Sequence, residues 1–160
     1  MFAAVMKAKL PAESRLHGYV KPGDFLDCYR VQSTLPALVA ARIIVDFPPW
    51  AKALVALRGI LTAPFGLLND GPGDSNSKLG PFPVEHSSDT EVVAGFNDKH
   101  LDFRVSVFSA ADQVSLATWV RPHNIGGRGY LAAIMPFHIL IARNALGRVA
   151  AAPSPTVGAA

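Results

Sequence analysis

Apolar and polar residues alternate with a period of two along much of the chain between residues 82 and 123. This period is typical of β-strands, whose successive side chains point to opposite faces of a sheet. Short gaps rich in Ser, Asp and Lys separate the runs, which predicts antiparallel strands joined by tight turns. An earlier aromatic and branched run predicts one more strand. The predicted strands cover residues 24–33, 82–87, 91–97, 101–109 and 114–123.

Three other segments carry apolar residues at helical spacing. Thr34 is the predicted N-cap of the first helix, which has Pro36 in its first turn. The second helix is ended by Pro64 and Gly66. The predicted helices cover residues 35–45, 50–62 and, after a glycine-rich corner at residues 126–129, a long run to about residue 149.

This order of elements predicts an α+β domain with a curved antiparallel sheet gripping a long C-terminal helix, and two short helices after the first strand. We predict an extended N-terminal leader over residues 1–23, a single domain over 24–149 and a disordered tail over 150–160. The polar stretch 69–78 is the predicted mobile loop. A space between helix and sheet is a common place for a small-molecule site.

The composition limits the classes of function. Half of the 160 residues are hydrophobic and 17% are charged, which excludes disorder for most of the chain. The net charge is +3, but the basic residues are scattered, so we predict no nucleic-acid-binding surface. Cys28 is the only cysteine. A lone thiol in an apolar strand predicts a buried side chain in a cytoplasmic protein, and not a disulfide or a nucleophile.

The most apolar window also contains charged residues. Residues 51–68 include Lys52, Arg58 and Pro64, which predicts a buried helix and no membrane span. Lys7 and Lys9 interrupt the first ten residues, so no signal peptide is predicted. The excess of apolar residues then points to an internal ligand cavity or to an oligomer interface, such as that of a homodimer.

A dense polar cluster lies on the strand predicted at 101–109. His100, Asp102 and Arg104 share one face, and the next strand returns Arg121 and His123 beside them. Such a cluster can orient a histidine or bind an anionic ligand through arginine. The same pattern is typical of a structural ion network on a half-exposed strand, and the pattern alone favours that interpretation. The sequence leaves open which face of the sheet meets the helix.

Motifs of known chemistry are absent from the sequence. There is no nucleophile elbow, no zinc-protease helix and no Walker loop. The histidines His100, His123 and His138 match no metal-ligand spacing, so we predict neither a metal ion nor a cofactor. The glycines of the corner do not form a dinucleotide fingerprint and predict a tight turn from strand to helix. Pro136 predicts a kink or a restart of the last helix.

Three motifs give the chain a resemblance to a known family. They are Asp-Lys-His-Leu-Asp-Phe-Arg at 98–104, His-Asn-Ile-Gly-Gly-Arg-Gly-Tyr at 123–130 and Pro-Phe-His at 136–138. In this order they resemble the bacterial family of domains of unknown function DUF2867, from about residue 10 to 149. The resemblance implies a helix-grip fold of the Bet v 1 and START type and gives weight to the motif residues, but it implies no established activity. Some relatives carry a dehydrogenase-like domain, whose fingerprint this chain lacks.

Three functions follow as hypotheses. The first is a binding domain for a hydrophobic, amphipathic or anionic small molecule, with a cavity above about 300 Å³ between sheet and helix. The second is a cyclase-, isomerase- or hydrolase-like enzyme with His100 or His123 as acid–base group, held by Asp102. The third is a non-catalytic interaction module that partners a dehydrogenase. The candidate ligand-binding residues are His100, Asp102, Arg104, Arg121, His123, Arg128, Tyr130 and His138.

Overall fold

The computed structural model describes residues 4–62, 78–80 and 82–153, which form one seven-stranded antiparallel sheet and three α-helices. The strands are β1 (Met6–Lys7), β2 (Phe25–Gln32), β3 (Lys78–Leu79), β4 (Phe82–Ser87), β5 (Glu91–Asn97), β6 (Leu101–Ala110) and β7 (Gln113–Pro122). Their order across the sheet is β1-β2-β7-β6-β5-β4-β3, so β2 pairs with the last strand, β7, and β1 lies at the edge. The sheet is curved and open, and the predicted α+β class is confirmed.

The helices are α1 (Ala37–Val45), α2 (Pro49–Thr62) and α3 (Ile125–Ala151). The Asn124 side chain caps α3 by accepting a hydrogen bond from the Gly127 N–H at 2.9 Å. α3 continues through Pro136 as one helix of 27 residues. The predicted Thr34 cap of α1 is wrong, because the chain is still extended at Pro36 and this residue occupies the N-cap position.

The inner face of the sheet carries the main core and is covered by α1 and α3. Val107 and Val114 of the sheet, together with Leu146 and Val149 of α3, are 0–1% exposed. Each such burial stabilises the fold by about 1.5–3 kcal/mol. Arg148 of α3 also donates hydrogen bonds to the last carbonyls of α1, which joins the two helices.

A two-residue turn fixes the register of β6 and β7. Ala110 pairs with Gln113, so Ala111 and Asp112 form the turn, with φ values of 51° and 60°. Positive φ at both positions is the geometry of a type I′ turn, whose twist matches that of the flanking strands. The resulting register places Asp102 opposite Arg121, as the alternation predicted.

The N-terminal segment covers the outer face of the sheet. Leu16 is fully buried there in a second core cluster with Cys28 and Trp119. The Glu91 carboxylate holds the segment in place and is itself 3% exposed. It accepts hydrogen bonds from the Ser14 hydroxyl at 2.6 Å and from the Arg15 backbone N–H at 2.9 Å. Part of the predicted leader is thus a packed layer of the fold.

α3 is the one helix in the described residues that is long and apolar enough to cross a membrane by length and composition. Its C-terminal half packs into the core, whereas Phe137 and Leu140 expose about half of their surface. Because core helices of water-soluble proteins pass the same test, the finding is weak evidence for a membrane. The helix also runs to Ala151, two residues into the predicted tail, and residues 69–77 and 154–160 lie outside the described residues.

Candidate functional site

A cavity of about 210 Å³ lies between the inner face of the sheet and α3. Its wall is mostly apolar and includes the side chains of Phe25, Phe47, Phe82, Phe96 and Phe103. Phe103 meets two of these rings edge-on, with centroids 5.4 Å and 4.8 Å apart, which is a favoured arrangement of aromatic side chains. The alternation along β6 places Phe103 on this face together with Leu101 and Val105.

The path of α3 explains why a space remains. At its first turn the helix touches the sheet so closely that a Cβ atom on Gly127 would lie 2.3 Å from the His100 carbonyl oxygen. At its other end, residues Ala142 to Val149 contribute to the packed core. The stretch between these contacts contributes Tyr130, Leu131, Ile134 and His138 to the cavity wall.

One buried polar pair interrupts the apolar wall, which also includes Thr118 and Tyr130. His138 of α3 lines the cavity, and its Nε2 atom lies 2.9 Å from Oδ2 of Asp27 on β2. The Asp27 side chain is 8% exposed, and that of His138 is 22% exposed. The Phe25 ring meets the imidazole edge-on at 6.3 Å. A buried carboxylate is stable only when hydrogen-bonded, so the pair holds the imidazole in a defined orientation.

The cavity is smaller than the sequence analysis expected. Its 210 Å³ lies below the roughly 300 Å³ at which drug-sized ligand sites begin. A larger cleft, of about 600 Å³, lies beside α1 and the short β3 strand, with Arg42, Asp46 and Lys78 on its rim. Arg42 and Asp46 are exposed, so this cleft is an open surface feature. The more apolar space between the sheet and α3 is therefore the better candidate, but only for a small ligand.

The predicted polar cluster lies on the other side of the sheet. Because Leu101, Phe103 and Val105 face α3, the side chains of Asp102 and Arg104 point to the outer face, and Arg121 lies there with them. His100 precedes β6 and His123 follows β7, at the end of these two strands where α3 begins. None of these five residues lines the cavity. The sequence left the two faces open, and a role of these residues in ligand binding stays a prediction.

Arg104 is fully engaged on the outer face. Its Nε atom donates to Glu85 at 2.6 Å, and Nη1 donates to the Asn97 side chain at 2.9 Å. The guanidinium also lies 5.2 Å from the centre of the Tyr19 ring, and the Tyr19 hydroxyl donates to Glu85. The hydrogen bond to Glu85 raises the pKa of Tyr19. With these partners Arg104 joins the N-terminal segment to the sheet.

Arg121 makes a similar set of contacts. It donates from Nε and Nη2 to the two carboxylate oxygens of Asp24 at 3.1 and 2.8 Å, and from Nη2 to the Tyr19 carbonyl at 2.8 Å. The Trp119 indole N–H donates to Asp24 at 2.9 Å. Hydrogen bonds from Arg121 and Trp119 hold the pKa of Asp24 well below its ordinary value. Two of the three predicted ligand arginines, Arg104 and Arg121, thus have carboxylate partners within the protein.

The two predicted acid–base histidines lie where β6 and β7 meet α3. His123 Nε2 is 3.0 Å from Asp102 Oδ1 in a half-exposed ion pair. The contact does not have the geometry of a hydrogen bond, so Asp102 Oδ1 has no hydrogen-bond partner among the described residues. Asp102 raises the pKa of His123, and the Lys99 carbonyl, 3.2 Å from Nδ1, adds to this effect. His100 Nδ1 contacts the Asn124 amide at 3.1 Å.

The remaining predicted residues divide between the two sides. Tyr130 and His138 line the cavity, whereas Arg128 is exposed in the first turns of α3. Cys28 is 2% exposed on the outer face, and burial raises the pKa of its thiol to about 11, which confirms the predicted buried side chain. Among the described residues, no group of three or more His, Cys, Asp or Glu side chains could hold a metal ion.

The fold and the cavity define a class: a small α+β domain with an apolar space between an antiparallel sheet and its C-terminal helix. The family model described as "Protein of unknown function (DUF2867)" matches residues 20–145. The chain belongs to this family, as its three motifs predicted. The kinship with the helix-grip superfamily stays a prediction. No curated protein and no solved structure matches the chain.

Asp27 and the phenylalanines of the cavity were missed as site residues. The residues Phe25, Asp27, Tyr29 and Val31 share one face of β2, and all but Asp27 are apolar or aromatic. An acidic residue at a core-facing position was the signal that the sequence offered. Its partner could not be predicted, because His138 lies 111 residues further along the chain.

Proposed function

We propose that this protein binds small, mostly apolar molecules in the cavity between the sheet and α3. The observation that carries the proposal is the partly enclosed space of about 210 Å³, whose wall includes five phenylalanines and is bordered by one oriented polar pair. Apolar walls with a few placed polar groups are typical of small-molecule sites.

The energetics of filling an apolar space support this proposal. Protein interiors are normally close-packed, and side chains that line a space lack contacts on that side. A ligand that fills the space restores the lost contacts. Binding to the folded state alone then raises the free energy of unfolding with ligand concentration.

The size and charge of the space define the ligand class. An engineered cavity of about 150 Å³ in another protein takes up benzene, so 210 Å³ is enough for one substituted ring. Among the described residues, those that line the space include no Lys or Arg, and Asp27 brings a negative charge close to the wall. We therefore replace the earlier expectation of an anionic or amphipathic ligand with a small neutral one.

Toluene is a suitable first probe, because it fits the cavity and carries no polar group. We expect it to shift the methyl and aromatic NMR signals of the cavity wall, with saturation, and to raise the melting temperature. Ile134→Trp should fill the cavity and abolish both effects. Leu140→Trp is the matched control, since Leu140 lies on the same helix with 55% of its surface exposed.

The possible results of this experiment either support or overturn the proposal. Saturable shifts in the wild type and in Leu140→Trp, but not in Ile134→Trp, support the proposal. No saturable shifts in the wild type, or equal binding by a folded Ile134→Trp variant, would overturn it. Shifts confined to the cleft around Arg42 and Asp46 would also overturn it, since they would place the binding site elsewhere.

A further inference from the structure

The Asp27–His138 pair restricts what a ligand in the cavity can offer. A carboxylate has acceptor oxygens only, so the imidazole nitrogen that faces it must carry the proton. His138 Nε2 is that nitrogen, 2.9 Å from Asp27 Oδ2. In the neutral imidazole the other nitrogen, Nδ1, then holds a lone pair and accepts hydrogen bonds. The buried carboxylate thus fixes the tautomer of the histidine.

The Nδ1 atom is open to a partner. In the described residues the only hydrogen bond of the His138 ring is the one from Nε2 to Asp27. Among the described residues, Asp102 Oδ1 is the only side-chain nitrogen or oxygen that is both buried and without a hydrogen-bond partner. Since His138 Nδ1 also has no partner but is not such an atom, it is accessible from the space around it. The ring itself lines the cavity. A molecule in the cavity, or water, can therefore reach an acceptor at this point of an apolar wall.

We propose that the ligand of this cavity is a small apolar ring bearing a hydroxyl group, and that this hydroxyl donates its hydrogen bond to His138 Nδ1. This inference rests on the proposed function and adds the chemistry of the ligand's polar end. Asp27 acts as a positioning residue, because it sets the tautomer and the ring orientation without touching the ligand. Phe25, edge-on to the imidazole at 6.3 Å, restricts the ring further.

A hydrogen-bond donor on the ligand is favoured over an acceptor or an anion. An anion would meet the negative charge of Asp27, and the described lining residues include no lysine or arginine to offset it. At His138 itself, a carbonyl or ether oxygen would face the lone pair of Nδ1. Sites built for a hydroxyl reject analogues that lack it, because a buried polar group is otherwise left unpaired.

The test compares phenol with toluene, two rings of similar size that differ in the hydroxyl group. Dissociation constants are measured by NMR titration for the wild type, His138→Leu and Asp27→Asn. We expect the ratio of toluene to phenol dissociation constants to fall about tenfold in His138→Leu, since the phenol hydroxyl then has no acceptor. Retained toluene binding shows that the variant is folded and its cavity intact.

Asp27→Asn tests the positioning role. An asparagine amide can either donate to Nε2 or accept from it, so it no longer fixes the ring proton on Nε2. We expect the preference for phenol over toluene, measured as the ratio of their dissociation constants, to fall at least severalfold. Anisole, whose ether oxygen can only accept a hydrogen bond, should gain affinity relative to phenol. The ¹⁵N shifts of the His138 ring report the tautomer directly, with the proton on Nε2 in the wild type.

Two results would overturn the inference while leaving the proposed function intact. One is toluene binding with a phenol preference that is unchanged in His138→Leu. The other is a wild-type ring with a proton on Nδ1, either as its only proton or in a doubly protonated imidazolium. If neither toluene nor phenol binds the wild type, the proposed function fails and this inference fails with it.

Discussion

The two faces of the sheet use polar side chains in opposite ways. On the outer face, Arg104 and Arg121 are held by Glu85 and Asp24 beneath the N-terminal segment. On the inner face, one pair, Asp27 and His138, borders an apolar space. The outer face is rich in charge and well paired. The inner face is poor in charge and contains a cavity.

This difference shows why conspicuous polar residues are a poor guide to a site in this chain. Burying a charged strand face under another segment requires a partner for each group, so such a face collects paired residues for structural reasons. A site for an apolar ligand needs mostly apolar walls, which look like core in a sequence. The polar group that can bind a ligand there is His138, because its Nε2 atom is paired with Asp27 and its Nδ1 atom has no partner among the described residues.

The largest expected effect is on the outer face. Glu91→Ala removes the acceptor of the Ser14 and Ser106 hydroxyls, both at 2.6 Å, and of the Arg15 N–H. Because these donors stay buried without a partner, we expect the free energy of unfolding to fall by about 3 kcal/mol or more. Urea denaturation measures this loss.

Glu13→Ala is the matched control for Glu91, since Glu13 is an exposed glutamate of the same N-terminal segment. We expect it to change stability by less than about 0.5 kcal/mol. Equal effects of the two substitutions would contradict the view that Glu91 holds the segment on the sheet.

The second comparison tests how the end of α3 is attached. Gly127→Ala drives a Cβ atom into the His100 carbonyl, and overpacking of this kind costs about 1–3 kcal/mol. Nothing lies within 4 Å of a Cβ atom on Gly129, so Gly129→Ala should gain up to about 1 kcal/mol in helix propensity. Thermal unfolding measures both. Stabilisation by both substitutions would show that α3 is not in close contact with the sheet at Gly127.

Low pH should lower the stability of the protein by protonating Asp24 on the outer face. Hydrogen bonds from Arg121 and Trp119 lower the pKa of Asp24 in the folded protein. Its contribution to the free energy of unfolding is therefore complete above the pKa of about 3.9 in the unfolded chain, and it is lost as the pH falls from there through the lower folded pKa. Wild type should exceed Asp24→Asn in stability at pH 6, and the gap should shrink below pH 4. Urea denaturation at pH 6, 4 and 3 measures the gap. A constant gap would contradict the ion pair, and exposed Asp89→Asn serves as control.

The smallest effect is expected at His123, where the pKa is raised by Asp102. This pair contributes fully below the unfolded pKa of about 6.5, and the contribution is lost as the pH rises through the folded value. We expect His123→Gln to cost less than about 1 kcal/mol at pH 5.5, because the pair is half-exposed, and still less at pH 9. In the Asp102→Asn background the pH dependence should disappear; its persistence would contradict the pairing.

The sequence predicted the parts of the fold that depend on local periodicity. β4 and β5 have the predicted bounds, and the register that brings Arg121 to Asp102 follows from the short turn. Contacts between distant segments were not predictable. The Ser14–Glu91 hydrogen bond spans 77 residues and the Asp27–His138 pair spans 111. Alternation identifies which residues share a face, but it does not say which face a helix will cover.

The most direct test of the central claim is a crystal structure with 4-bromophenol, whose bromine is located by its anomalous scattering. The account predicts one bromine position among the phenylalanines of the cavity, with the hydroxyl within hydrogen-bond distance of His138 Nδ1. Bromine on the outer face near Arg104 and Arg121, or in the cleft beside α1, with the cavity empty, would contradict it.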